Sequence, residues 1–118
     1  MTEAHAFGRE AETRAAEYLE KSGLRVLERN FRCRGGEIDL VAMDGQTLVF
    51  VEVKARHSAT FGSAGEAIDG RKTTRLRRAA AVYIARRCAT GESDLPACRF
   101  DAILFDPGPG IEHLRDVL

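Results

Sequence analysis

The sequence predicts an α/β fold in which a mixed β-sheet is flanked by helices, in the order helix, three strands, helix, strand. Three observations predict it: an amphipathic helix near the N-terminus, a tight β-hairpin in the first half, and a long basic helix between that hairpin and a further strand. A strand that follows such a helix can run parallel to a hairpin strand only through a crossover connection. The sheet is therefore expected to combine antiparallel and parallel pairs.

Length and composition indicate a single domain spanning residues 1–118, because a chain of 118 residues supports one modest core. The three cysteines, Cys33, Cys88 and Cys98, have no CxxC spacing, which argues against a disulfide framework or a zinc site. The N-terminal residues lack the basic end and apolar run of a signal peptide, and no apolar stretch is long enough to span a bilayer. A cytoplasmic location without a membrane partner is expected.

The first helix is predicted from apolar residues at helical spacing, with a stop at Ser22-Gly23. These apolar residues are Phe7, Ala11, Ala15, Tyr18 and Leu19. The following segment, 24–33, mixes β-forming with charged residues and predicts a partly exposed strand that ends at Arg34-Gly35-Gly36.

The strongest local pattern is a hairpin formed by segments 37–43 and 47–54, with Asp44 and Gly45 as its two loop residues. In that register Glu37 faces Glu52, and Asp39 is a diagonal neighbour of Glu52. Alternation along the strands then places a mostly apolar set on one side, which is expected to cover the core. This set is Ile38, Leu40, Ala42, Thr47, Val49, Val51 and Val53.

The opposite side of the hairpin predicts a chemical site at the end away from the turn. There it collects Glu37, Asp39, Glu52 and Lys54, with Val41, Leu48 and Phe50 nearer the turn. Clustered carboxylates repel one another unless a cation or the lysine compensates them, and Mg²⁺ suits all-oxygen ligands. A metal that activates water, together with an ammonium group, is sufficient for phosphodiester hydrolysis.

A second interpretation of the same face remains open at this point. Charged strand faces are common in antiparallel sheets. Glu52 and Lys54 could simply pair with each other, or with Arg32, Arg34 and Arg56, on a solvated surface.

The second half predicts a loop or short helical turn over 57–70, then a long helix from Gly70 to Ala89 with Asp69 as N-cap and Gly91 as stop. A strand follows at 99–106 and is ended by residues 107–110, and 111–118 adds a short edge strand. The buried stripe of the long helix is predicted to be Leu76, Ala79, Ala80, Tyr83 and Ile84.

Charge is distributed unevenly, although 18 basic and 18 acidic residues cancel overall. From residue 71 to residue 87 there is no acid, so a local positive field can exist in a neutral chain. Arg71, Lys72, Arg75 and Arg78 are the candidate nucleic-acid-binding residues, through sequence-independent contacts to phosphates. The alternative is that these are ordinary solvent-facing helix charges. The three histidines, His5, His57 and His113, form no ligand pair and are expected at the surface.

Several ordered motifs match a known family. GEIDLVAMDG and LVFVEVKAR, preceded by Gly8–Glu12 and followed by Phe61-Gly62 and the basic helix, resemble the YraN-like family of small bacterial proteins. That family lies in the restriction-endonuclease-like (PD-(D/E)xK) superfamily, which includes archaeal Holliday junction resolvases. The resemblance covers most of the chain. Ala11, Asp69-Gly70 and Leu118 depart from residues common in the family, and none of them is a proposed ligand.

The resemblance implies specific roles. Asp39 and Glu52 would bind metal together with the backbone carbonyl of Val53, Lys54 would serve the water, and Glu12 would complete the site. Glu37 is assigned a secondary role, either at the glycine turn or near the metal.

These roles imply a Mg²⁺- or Mn²⁺-dependent endonuclease acting on nucleic acid, DNA before RNA, with structured or branched DNA as the expected substrate. A non-catalytic nucleic-acid-binding module of the same fold is the alternative. Related resolvases act as dimers on symmetrical junctions, so a homodimer is compatible with the resemblance, although no residue pattern predicts an interface. Fold alone does not establish function.

Overall fold

A computed structural model describes residues 3–55, 70–89, 96–105 and 110–117, with side chains described from residue 9 in the first helix and over 73–88 in the second. Several predicted features lie outside this part of the chain. They are the loop up to residue 69 with its Phe61-Gly62 motif, the Asp69 N-cap, the Gly91 stop and residues 106–109.

The chain forms a five-stranded sheet in the order β1-β2-β3-β4-β5, with β3 and β4 parallel and the other neighbours antiparallel. The elements are α1 (Glu3–Lys21), β1 (Arg25–Cys33), β2 (Gly36–Asp44), β3 (Thr47–Ala55), α2 (Gly70–Ala89), β4 (Ala97–Phe105) and β5 (Ile111–Leu114). The predicted mixed sheet, the crossover through a long helix and the short edge strand are all confirmed. No helix in the described ranges is long and apolar enough to cross a membrane.

Helix α1 ends where Gly23 takes a left-handed conformation at φ 96°. The N–H of Gly23 donates to the carbonyl of Glu20 at 3.1 Å, and the N–H of Leu24 donates to the carbonyl of Leu19 at 2.9 Å. These two bonds are those of a Schellman C-cap, which satisfies carbonyls that the helix leaves unpaired. Leu24, 3% exposed, then enters the core, so the cap directs the chain into β1.

The turn of the β2–β3 hairpin differs from the prediction by one residue. Asp44 pairs with Thr47, so Gly45 and Gln46 are the loop residues. Gly45 has φ 61°, and a positive φ at the first loop position is the requirement of a two-residue type II′ turn, which glycine meets without strain. Asp44 stays in the strand, where Arg99 donates to its carboxylate at 2.7 Å.

Both faces of the sheet are covered, whereas the sequence predicted one core-covering face. Ala11, Ala15 and Leu19 of α1 pack on one face against Leu40, Ala42, Val49 and Val51. Leu76, Ala79, Ala80 and Tyr83 of α2 pack on the other face against Phe31, Ile38, Val41, Leu48 and Phe50. The predicted apolar stripes of both helices are therefore confirmed over the described side chains, with Ile84 partly buried beside the second cluster.

Ile38 lies on the opposite face from the one predicted, because the alternation of side chains is interrupted beside it. Leu40 packs under α1, but Ile38 packs under α2. Across from this change, Asn30 of β1 has φ 55° and lies between two paired positions, Arg29 with Leu40 and Phe31 with Ile38. A left-handed residue in a strand adds local twist and disturbs the pleat. Asp39 therefore lies at the point where β2 changes face.

Gly36 lets α2 approach the start of β2. A Cβ on this residue would lie 2.6 Å from the carbonyl oxygen of Arg75 and 2.8 Å from the backbone nitrogen of Ala79. Since both are helix backbone atoms, only a displacement of α2 or of the β1–β2 turn would make room. The glycine pair between β1 and β2 therefore sets the position of α2 beside Glu37 and Asp39.

Replacing Gly36 with alanine should lower the free energy of unfolding by about 1–3 kcal/mol, the usual cost of overpacking. Urea unfolding followed by circular dichroism measures it. Gly23→Asn is the control, since nothing lies within 4 Å of a Cβ there and asparagine is tolerated at the left-handed position that follows a helix, so its loss should be smaller. Equal stability of Gly36→Ala and the unsubstituted protein would contradict the close-approach argument.

A buried carboxylate, Asp101, holds the C-terminal strand on the sheet. It is fully buried and accepts hydrogen bonds from Arg99 Nε at 3.1 Å and from the backbone N–H of Asp116 at 3.0 Å. His113 Nε2 lies 2.8 Å from its other oxygen. The His113 side chain is only 4% exposed, so the expected surface position of this histidine was wrong. Its partner carboxylate, distant in sequence, explains the burial.

Burial by itself raises the pKa of Asp101, but the hydrogen bonds from His113 and Arg99 outweigh it, and the pKa lies below its ordinary value. Such a group stabilises the fold above the unfolded pKa and loses that contribution as pH falls through the lower, folded pKa. Asp101→Asn should therefore destabilise the protein by about 3–5 kcal/mol at pH 7, as expected when one partner of a buried ion pair is removed.

Urea midpoints between pH 7 and pH 3 test this prediction, and the difference from the unsubstituted protein should shrink below about pH 4. Asp116→Asn, the same change on an exposed side chain, is the matched control. A pH-independent difference would mean that the charge of Asp101 contributes nothing.

Candidate active site

The candidate site begins where β2 and β3 stop pairing. Their paired positions run from Asp44–Thr47 to Leu40–Val51. One residue further along β2, the Asp39 carboxylate accepts a hydrogen bond from the backbone N–H of Val53 at 2.8 Å. A side chain thus takes the position that a strand carbonyl would occupy in a continued ladder, and Asp39 is fixed against β3.

The one-residue change in the turn also changes the expected neighbours of Asp39. The observed pairing joins Leu40 to Val51, two residues beyond the predicted partner Val49, and ends there, so Glu37 does not pair with Glu52. Asp39 and Glu52 both lie beyond the paired part of the hairpin, where their carboxyl groups still interact by charge.

Asp39 has a strongly perturbed acidity. Its pKa is raised from 3.8 to about 7, first because burial penalises the charged carboxylate and then because of the negative charge of Glu52. Glu12 and Glu37 raise it further, and the Val53 hydrogen bond lowers it. Four predicted site residues thus act on one carboxyl group. Strong desolvation combined with specific charge partners is typical of functional sites.

Glu52 and Lys54 alternate with Val51 and Val53 on β3, which places both on the same side of the strand. Glu52 is 7% exposed and Lys54 is half-buried, and both have interaction partners. The interpretation of a solvated charged face therefore fails for Glu52. A carboxylate this buried is kept where its charge is used or compensated.

Glu12 and Glu37 approach Asp39 from different elements. Ala11 and Ala15 anchor α1 in the core, so the intervening helix turn carries the half-buried Glu12 to the edge of the sheet. The side chain of Glu37, on β2, lies between arginines of β1 and α2. Arg32 Nε is 4.0 Å and Arg75 Nη2 is 3.8 Å from its carboxylate.

The donor set suits a hard divalent cation that keeps part of its water shell. Among the described residues, no three His, Cys, Asp or Glu side chains converge closely enough to hold a metal by themselves. Mg²⁺ commonly binds proteins through one or two carboxylates plus water and substrate phosphate. Asp39 and Glu52, with the Val53 carbonyl, fit that mode, and the pKa of Asp39 is raised first by burial and then by the negative charge of Glu52, which a bound cation would offset. The three cysteines are free, as expected.

Only part of the basic helix borders the site. Arg75 contacts Glu37, and Arg78 lies against the β1–β2 turn, where its Nη1 would be 2.5 Å from a Cβ on Gly35. The side chains of Arg71 and Lys72 lie outside the described residues. Three other arginines of α2 lie over aromatic rings instead. These pairs are Arg77 over Phe100, Arg86 over Phe31 and Arg87 over Tyr83.

Arg32 of β1 is a site neighbour that the sequence considered only as a surface ion-pair partner. It faces Glu37 across the β1–β2 pair, as the register Arg32–Glu37 shows. The signal available in the sequence was its position just before the Arg34-Gly35-Gly36 turn, which folds β1 back onto β2.

The sequence of this chain matches one family over most of its length. Residues 11–105 match the model of the Uncharacterised protein family UPF0102. The chain belongs to this family. The UPF0102 protein of Dechloromonas aromatica is 54% identical over 110 residues, covering 93% of this chain and 86% of that protein. The UPF0102 protein STH1475 of Symbiobacterium thermophilum is 49% identical over 102 residues, covering 86% and 83%. The expected membership in the YraN-like family is thereby confirmed.

The UPF0102 fold is shared with a solved archaeal enzyme. The 1.6 Å structure of Hjc from Archaeoglobus fulgidus, described as a Holliday junction resolvase, superposes with a TM-score of 0.50 and 21% identity, covering 91% of this chain and 75% of that one. At this identity the likeness concerns the fold. It confirms the predicted restriction-endonuclease-like core.

The perturbed carboxyl group of this UPF0102 protein gives a pH-dependent prediction for metal-free samples. Because the folded pKa of Asp39 is about 7 and the ordinary value is 3.8, the folded state holds a proton through this window that the unfolded state has lost. The contribution of Asp39 to stability therefore falls as pH rises from about 4 to 7. Asp39→Asn should be more stable than the unsubstituted protein by about 1–2 kcal/mol at pH 8 and nearly equal to it at pH 4.5.

Urea unfolding in the presence of a chelator measures this difference, with Glu28→Gln, an exposed acid of β1, as the control. Adding Mg²⁺ or Mn²⁺ at pH 8 should raise the melting temperature of the unsubstituted protein and not that of Asp39→Asn. A stability difference that is the same at both pH values would rule out a protonated Asp39.

Proposed function

We propose that this protein is a metal-dependent nuclease that hydrolyses phosphodiester bonds in structured or branched nucleic acid, with DNA preferred. The observation that carries the proposal is the half-buried Asp39 carboxyl group, which the Val53 N–H fixes against β3 and which interacts with the charge of the buried Glu52. Two carboxylates and a lysine two residues beyond the second are a sufficient set for metal-assisted hydrolysis. The fold shared with an archaeal Holliday junction resolvase supports the same reaction class.

Each residue of the candidate site has its own role in the proposed reaction. Asp39 and Glu52, with the Val53 carbonyl, would hold the cation, and Glu12 would supply a further acid from α1. Bound Mg²⁺ would polarise a phosphoryl oxygen and lower the pKa of a water molecule. The Lys54 ammonium would orient the attacking water or stabilise negative charge that develops on the phosphate. Burial keeps the Glu52 carboxylate out of bulk water. Opposite charges attract each other more strongly at such a buried position than they do in water, so its interaction with a cation is strengthened.

Arg75 and Arg78 would bind the phosphates that flank the scissile bond. Their side chains are exposed and border the turn that leads to Asp39. Phosphate contacts of this kind position the substrate and do not read its sequence. Recognition by shape follows, which suits a branched substrate better than a specific duplex sequence.

A second function from another class is a binding module that holds branched nucleic acid without cutting it. One observation favours it: no three potential ligand side chains in the described part of the chain converge into a ready-made metal site. In this case Asp39 and Glu52 would shape the surface and leave a bound strand intact.

Cleavage assays separate the two proposals. The purified protein, with Mg²⁺ or Mn²⁺, is incubated with labelled single-stranded, duplex, flap and four-way DNA and with the corresponding RNAs. We expect cleavage of branched DNA, and a fall of about 100-fold or more in rate for Glu52→Gln and for Lys54→Ala, as when one preorganised catalytic group is lost. Glu28→Gln is the charge-matched control and should retain full activity.

Each outcome assigns the function. Cleavage that both substitutions leave unchanged would overturn the active-site assignment, because it would come from another group or a contaminant. Binding without cleavage across the panel would favour the module. Sedimentation of the protein with and without a four-way junction tests whether it forms the homodimer that the family resemblance allows.

A further inference from the structure

Four exposed arginines surround the turn between β1 and β2. Arg32 and Arg34 come from the end of β1 and the turn, and Arg75 and Arg78 come from α2. We propose that these four residues, the turn clamp, bind one backbone phosphate of a nucleic acid, and that Glu37 occupies the clamp as an internal substitute until that phosphate displaces it. The inference rests on the proposed function, because it names how the same site receives its substrate.

The glycine turn brings the two pairs of arginines together. A Cβ on Gly36 would overlap the backbone of α2 at Arg75 and Ala79, and one on Gly35 would overlap the Arg78 side chain. The helix therefore lies directly on the turn, with no room for a side chain between them. This close approach converts charges that are about 40 residues apart in sequence into one cationic surface.

Glu37 is held in this surface by two long ion pairs. Its carboxylate lies 4.0 Å from Arg32 Nε and 3.8 Å from Arg75 Nη2, and the side chains of Glu37, Arg32 and Arg75 are 41%, 75% and 55% exposed. Exposed pairs of this length are screened by solvent and weak. Arginine binds phosphate through shorter, bidentate and charge-assisted hydrogen bonds. A phosphate can therefore replace the Glu37 carboxylate.

Because Glu37 lies close to Asp39, its displacement by a phosphate also affects the candidate active site. Glu37 is two residues from Asp39 on β2, and its negative charge already acts on the Asp39 carboxyl group. While the arginines hold Glu37, part of their positive charge is neutralised at the entrance of the site. Once a phosphate takes its place, the clamp holds a strand beside Asp39 and Glu52. Glu37 then acts as a positioning residue that links substrate binding to the site.

Binding measurements without metal test the inference separately from catalysis. Fluorescence anisotropy with a labelled four-way DNA junction, in a chelator and over a range of NaCl concentrations, compares the unsubstituted protein with Glu37→Gln. Removing the internal competitor should tighten binding at least about threefold and steepen the slope of log affinity against log salt by up to about one, since one more phosphate charge is neutralised. Glu28→Gln makes the same change in net charge on β1, four residues before Arg32, and should have a much smaller effect on binding.

A double-mutant cycle identifies the clamp itself. Arg75→Gln should weaken binding and reduce the salt slope by about one, whereas Arg25→Gln, an exposed arginine at the other end of β1, should change binding less. In the Arg75→Gln background, Glu37→Gln should gain less affinity than it does alone, because one of its two partners is missing. Thermal unfolding checks that each variant remains folded.

The results distinguish this inference from the proposed function. If the unsubstituted protein binds nucleic acid and Glu37→Gln changes affinity no more than Glu28→Gln does, the clamp-substitute role of Glu37 is overturned while the proposed function stands. The same conclusion applies if Glu37→Gln binds the junction more tightly only in proportion to its change in net charge, with the same salt slope as the unsubstituted protein. If no DNA or RNA of the panel binds at any salt concentration, both the inference and the proposed function fail.

Discussion

The hydrogen bond from the Val53 backbone N–H to the Asp39 carboxylate determines the arrangement of the candidate site. In an uninterrupted hairpin a strand N–H is satisfied by a backbone carbonyl. Here β2 changes face next to Asp39, and the carboxylate satisfies the N–H instead. The bond fixes an acidic side chain directly against β3, where Glu52 and Lys54 follow each other at alternate positions. The bond thus ties the Asp39 carboxylate to the strand that carries Glu52 and Lys54.

The fully buried Asp101 and the half-buried Asp39 have opposite environments. Asp101 receives donors from His113, Arg99 and the backbone of Asp116, and its pKa is lowered. Asp39 receives one backbone donor, and its removal from water, followed by the charges of neighbouring acids, raises its pKa to about 7. The first arrangement stabilises the fold by holding the edge strand. The second opposes folding in the absence of a cation, and proteins retain such unfavourable charge mainly where it serves a function.

Charge is also organised on a larger scale, although the chain is neutral overall. Several arginines of α2 lie over aromatic rings at the edge of the core, where their stems cover apolar surface. Arg75 and Arg78 differ, because the glycine turn brings them beside the carboxylate cluster. The positive surface and the negative site therefore meet at Glu37, which contacts the first and acts on the second.

The sequence by itself predicted the element order, the crossover, the apolar stripes of the helices and the presence of Asp39, Glu52 and Lys54 on one hairpin, because these depend on local periodicity and on turn-forming residues. It missed the turn position by one residue, because Asp44-Gly45 and Gly45-Gln46 both suit a two-residue loop. The ion pair between Asp44 and Arg99 favours the Gly45-Gln46 loop, but its partners are 55 residues apart in sequence. Tertiary structure likewise decided three other features. They are the change of face of β2 across from Asn30, the burial of His113 against Asp101, and the meeting of Arg32 with Arg75 at Glu37. Each joins groups from separate elements, and such contacts leave no periodic signal in the chain.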